Sequence, residues 1–150
     1  MEEIADLFEQ LSEVQAPQLE TREELVRVFY KVPGMPSACR YAKYKSTEEL
    51  LEIKSVLNNF CLEEGFRDSA VKLACELNKE TKYGVTSIDF EGQNLIYRTS
   101  QRFPGVSDPK PGINYLFQEH IKAFGLVLEA FKRALEADVD YKSIVTTLLS

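Results

Sequence analysis

Between Leu25 and Thr47 the chain carries no aspartate or glutamate. That window holds Arg27, Lys31, Arg40, Lys43 and Lys45 among Phe29, Tyr30, Tyr41 and Tyr44. Residues 1–24 are the opposite, with eight acids and a single base. Cations next to tyrosines can hold phosphates while the rings stack on bases. The same composition suits an acidic peptide. It also suits a lysine-guarded edge strand lying against the acidic first helix. The residues that would make contact are Arg40, Tyr41, Lys43, Tyr44 and Lys45, within the basic aromatic segment 27–45. If 37–45 is extended, Arg40, Ala42 and Tyr44 share one side, and Tyr41, Lys43 and Lys45 the other.

Other reactive side chains are few. His120 is the only histidine. It follows Glu119 and sits between Phe117 and Phe124, which reads as a boundary residue rather than a general base. No ligand spacing surrounds it, so neither a metal nor a cofactor is expected. Asp138 and Asp140 read as helix-end carboxylates rather than a cation site. Cys39, Cys61 and Cys75 form no CxxC pair. Cys61 and Cys75 lie among apolar residues, where thiols are inert, whereas Arg40 beside Cys39 favours its thiolate. The chain has no phosphate loop, no GxGxxG and no GxSxG. These absences point to a non-enzymatic protein, with His120 or Cys39 as the residues an enzyme would use.

The totals set the frame. A chain of 150 residues is expected to form one α+β domain, 1–150, and at this size about 70% of the unfolded surface is buried on folding. Hydrophobic residues make up 44% and charged residues 28%, as in ordinary soluble proteins. The net charge of -6 opposes general nucleic-acid binding, which needs a basic surface, but leaves room for a local basic site. Free cysteines and an acidic Met1-Glu2-Glu3 start without an apolar run predict a cytoplasmic protein without a signal peptide. No apolar run is long enough for a membrane span.

Apolar spacing predicts the elements. Ile4, Leu7, Phe8, Leu11 and Val14 predict a first helix, ended by Pro17. Thr21 with Glu24 fits a capping box and a helix from 22. Val26, Val28 and Tyr30 alternate as in a strand, so both readings of 22–32 stay open. Ser46 with Glu49 is a second capping box, which predicts a helix through Leu50, Ile53, Leu57 and Phe60, closed by Gly65. Asp68 predicts the cap of another helix with Val71, Leu73, Ala74 and Leu77 inside, broken by Gly84. Residues 85–90 and 95–99 predict a hairpin around Glu91-Gly92-Gln93-Asn94, where Gly and Asn tolerate positive φ. Residues 102–113 predict a loop, and Asn114 the cap of a long helix. Asp140 predicts a short final helix with Tyr141, Ile144, Val145 and Leu148 on one side.

In the long helix Phe117, Ile121, Phe124, Leu128, Phe131 and Leu135 alternate by four and three. Burying three phenylalanines and three aliphatics contributes on the order of 10 kcal/mol before entropy is charged. The stripe either covers the sheet or offers Phe124, Leu128 and Phe131 to a partner. Gly125 mid-helix costs roughly 1 kcal/mol relative to Ala. A close helix crossing would account for it, as would a packing accident.

Residues 68–137 resemble the YbjN-like family and its structural relatives, the type III secretion chaperones. The likeness lies in Leu77-Asn78 closing a helix, Tyr83-Gly84 opening a strand, and Ile88-Asp89-Phe90 leading to the Gly92 turn. Leu95-Ile96-Tyr97-Arg98-Thr99 returns, and a Pro/Gly loop and long helix follow. The resemblance implies a small antiparallel sheet against two or three helices, and an acidic homodimer that binds a polypeptide partner. The first half departs from it. The family runs one helix, three strands and a central helix, whereas here at most two strands precede residue 46 and two helices follow. A chaperone-like or regulatory polypeptide binder is the expectation. A small nucleic-acid-binding subunit is the alternative.

Overall fold

The computed structural model describes residues 1–60, 62, 64–136 and 145–148. The expectations for Cys61, Asp138, Asp140, Tyr141 and Ile144 lie outside the described residues. The order is α1 (Glu2–Leu11), β1 (Gln18–Arg22), β2 (Leu25–Lys31), β3 (Ala38–Lys45), β4 (Leu50–Leu57), α2 (Glu64–Glu80), β5 (Gly84–Asp89), β6 (Asn94–Arg102) and α3 (Lys110–Glu136). The six strands form one antiparallel sheet in the order β1-β2-β3-β4-β6-β5. The fold is α+β, and no helix among the described residues is long and apolar enough to cross a membrane.

Both apparent capping boxes are hairpin turns. Arg22 pairs with Leu25, so Glu23 and Glu24 form a two-residue connection and 22–32 holds a strand. Between β3 and β4 the amide of Glu49 donates to the Ser46 carbonyl, and Glu49 takes φ 51°. Ser, Thr and Glu at that spacing serve a turn as readily as a helix start. The helix expected over 46–60 is therefore β4. Its Leu51, Ile53 and Ser55 turn inward, and Glu52 and Lys54 outward. Leu50, Ile53 and Leu57 fit a helical period too, but pairing with β3 and β6 on both sides decides for the strand. β3 is consequently an inner strand and not an edge.

Gly65 lies inside α2, which begins before Asp68, and Val71 is exposed while Leu73, Ala74 and Leu77 are buried. In the β5–β6 turn the positive φ falls on Gln93, not on Gly92 or Asn94. The Asp89 carboxylate accepts the Gly92 amide at 3.0 Å. Gly84 opens β5 because a Cβ there would strike the Tyr97 ring. α3 starts earlier than the Asn114 expectation. Asp108 accepts the Lys110 amide at 3.2 Å, and Pro111 sits in the first turn, where its missing N–H costs nothing.

α1, α2 and α3 all cover one face of the sheet. One apolar cluster joins α1 and the start of α3 to β2, β3 and β4, through Phe8, Val28, Ile53 and Phe117. A second joins α2 and the rest of α3 to β6, through Leu73, Leu77, Leu95, Phe124 and Phe131. Part of the expected α3 stripe is turned outward: Leu135 is exposed, while Ile113, Leu116, His120 and Val127 are buried. Gly125 meets no close neighbour among the described residues, so no helix crossing among them accounts for it.

Candidate functional site

Alternation along β3 splits the basic aromatic segment between two environments. Inward, Arg40 is 1% exposed. Its guanidinium pairs with the Glu13 carboxylate from the α1–β1 connection and donates to the Tyr30 hydroxyl at 3.2 Å. Tyr30 in turn donates to Glu13 at 2.9 Å. Arg40 also lies over the Tyr30 and Phe124 rings, 5.7 and 5.6 Å from their centroids. Its Nε donates to Ser55 Oγ at 2.8 Å.

Ser55 continues to His120 Nε2 at 2.7 Å, and His120 Nδ1 reaches Thr99 Oγ1 at 2.8 Å. Arginine only donates, so Ser55 Oγ accepts from Arg40 and its own proton is free for Nε2; in that arrangement the ring proton sits on Nδ1 and goes to Thr99. The hydrogen-bonded chain thus spans β3, β4, α3 and β6. It stands between the two apolar clusters. His120 is therefore no boundary residue but a buried neutral one: burial, reinforced by the Arg40 charge, pushes it down to about 3. Burial also brings Arg40 down to about 10 and pushes Tyr97 up to about 12. Tyr97 and His120 reach a small cavity of about 330 Å³ beside the α2 C-terminus and Leu148. Ser55 does not line it, and the described residues contain no cluster of three or more His, Cys, Asp or Glu able to hold a metal.

Outward, no helix of the described residues covers the sheet. Strand pairing sets Phe29 opposite Tyr41, Tyr41 opposite Lys54, Lys54 opposite Arg98 and Arg98 opposite Val85, one row across five strands. The next row runs Glu20, Arg27, Lys43, Glu52 and Ser100. Apart from Val85 and Ser100 these residues line a broad hollow of about 1050 Å³, the larger of the two cavities described. The Phe29 and Tyr41 rings lie 4.7 Å apart, and the Lys54 ammonium sits 5.5 Å from the Tyr41 ring centre. Arg27 pairs with Glu20 at 2.9 Å and Lys43 with Glu52 at 3.2 Å. Cations outnumber carboxylates on this face, although the whole chain is acidic.

The edge at β5 is blocked. The Asn78 side chain donates to the Thr86 carbonyl at 2.9 Å and accepts the Thr86 amide at 2.6 Å, as a neighbouring strand would. Thr81 donates to the Gly84 carbonyl at 2.9 Å.

Of the residues expected to meet a partner, Tyr41, Lys43 and Lys45 face the open side. Lys45 is tied to Glu48 at 2.9 Å. Arg40, Tyr44, Phe124 and Phe131 are buried within the chain, and Leu128 is partly buried against the second cluster. Phe29, Lys54 and Arg98 were not among them. Lys54 was hidden by the helical reading of 46–60, because alternation places it outward only in a strand. No family model matches the chain, and no match was found among curated proteins.

Proposed function

We propose that this is a non-enzymatic, polypeptide-binding protein, chaperone-like or adaptor-like, whose partner lies on the open face of the sheet. The observation that carries the reading is the uncovered row Phe29–Tyr41–Lys54–Arg98 in the middle of a six-stranded sheet. A paired aromatic platform beside cations offers apolar contact and charge together, the combination that anchors protein interfaces. Partner binding by strand addition is disfavoured at β5, where Asn78 and Thr81 already occupy backbone groups. Phe117, Phe124 and Phe131 of the α3 stripe are buried in the chain's own core. The only histidine is buried in a fully bonded chain of donors, which supports a structural role over catalysis. A nucleic-acid partner is the weaker reading, because the rest of this acidic chain would repel a long polyanion.

A photo-crosslinking residue at Tyr41 tests it in cells. A discrete protease-sensitive adduct is expected from that position and not from Phe66 on α2. A nuclease-sensitive adduct, or none, overturns the reading.

A further inference from the structure

Lys54 and Arg98 face each other directly across β4 and β6 on the open side. Like charges so opposed repel, since side chains of a cross-strand pair start only about 5 Å apart. The other cations of this hollow are neutralised: Arg27 by Glu20 and Lys43 by Glu52. Among the described residues no carboxylate lies within ion-pair distance of Lys54 or Arg98, and the Arg98 side chain makes no hydrogen bond or ion pair. Among the described residues, folding therefore leaves this pair of positive charges unneutralised in the lining of the 1050 Å³ hollow, on the same row as the Phe29–Tyr41 platform. We infer that Lys54 and Arg98 form a carboxylate-binding site, and that the partner is an acidic polypeptide segment carrying an aromatic or aliphatic side chain next to an Asp or Glu.

Charge complementarity selects that occupant. Arg98 offers a planar fork of donors that matches a carboxylate, and Lys54 a second point charge. The neighbouring rings take the apolar side chain of the same segment. A second copy of this chain fits less well, because its own sheet face is equally positive and would repel in a two-fold arrangement. This inference rests on the polypeptide-binding reading above and specifies its chemistry.

The test measures binding of a synthetic peptide alternating glutamate with phenylalanine, its glutamine-for-glutamate analogue, and an oligothymidylate. The protein is the full chain and three variants: Lys54→Gln with Arg98→Gln, Tyr41→Ala, and Lys31→Gln as a control outside the pair. Unchanged urea midpoints establish folding. The acidic peptide is expected to bind about tenfold or more tightly than the glutamine analogue, with affinity falling as salt rises. The Lys54/Arg98 variant is expected to abolish that preference and Lys31→Gln to keep it. If the glutamine analogue binds as well, or the Lys54/Arg98 variant keeps the preference while Tyr41→Ala loses binding, the carboxylate site is refuted and the polypeptide reading stands. If neither peptide binds, or the oligothymidylate binds more tightly than the acidic peptide, both are refuted.

Discussion

Arg40 and Arg98 lie in the same sheet and point to opposite sides of it. Arg40 is buried, paired with Glu13, stacked on two rings and bonded to Ser55 and Tyr30. Arg98 is exposed, its side chain has no partner among the described residues, and it faces another cation. On the helix-covered side every charge and hydroxyl of the seam has a directed role. Only Thr86 Oγ1 is left unbonded among buried side-chain polar atoms of the described residues. On the open side the central cations are left unmatched. A buried cation with complete partners is accounted for by folding. An exposed like-charge pair is not, and that difference separates the stabilising half of the molecule from the half proposed for binding.

The largest effect should come from the seam. Removing one partner of a buried, hydrogen-bonded ion pair costs roughly 3–5 kcal/mol, because the groups left behind lose their compensation. Arg40→Ala is expected to fall toward the lower end of that range, since Glu13 keeps partial access to water. Arg98→Ala should stay within about 0.5 kcal/mol of the parent. Urea unfolding at neutral pH measures both. Similar losses at the two positions would abolish the contrast.

His120 sharpens the comparison through pH. Its imidazole titrates near 6.5 in the unfolded chain and at about 3 when folded. Above the unfolded value it is neutral in both states. As pH drops below that value the unfolded chain takes up a proton that the folded chain refuses. Stability from this group therefore declines by roughly 1.4 kcal/mol per pH unit toward about 3. There is no other histidine, so the window from about 6.5 to 5, above most carboxylate titration, isolates it. His120→Gln should flatten that slope whatever it does to absolute stability. A slope unchanged by the substitution would mean that the imidazole reaches solvent in the folded protein.

Much of the frame was readable from local pattern. The alternation in β3, the β5–β6 hairpin and the α3 periodicity each lie within one segment, and the structure holds all three. β1 and β4 were obscured because Thr21/Glu24 and Ser46/Glu49 satisfy a capping box and a hairpin turn equally well. The site was harder still. Lys54 meets Arg98 only because β4 neighbours β6 in the strand order, a non-local fact with no short-range signature. His120 looked marginal beside Glu119, yet its place in α3 aims it at Ser55 and Thr99 on separate strands. A burial pattern can suggest which way a side chain points, but not which distant residue waits there.

The smallest effect carries the most direct statement about the open face. Lys54→Glu replaces a repulsive cross-strand pair with an attractive one opposite Arg98. Opposite charges at such positions contribute roughly 0.2–1 kcal/mol relative to neutral pairs. The substitution gives up the Lys54 contact with the Tyr41 ring, which at a half-open position is worth about 0.5 kcal/mol. The balance favours a small gain in the urea midpoint, lessened by salt as exposed charge effects are. Stability and acidic-peptide binding should then move in opposite directions at one residue. If Lys54→Glu instead lowers stability, and salt does not alter the loss, the lysine is held in place by its stacking on Tyr41. The positive pair would then be a by-product of packing, and the open face would need no partner to explain it.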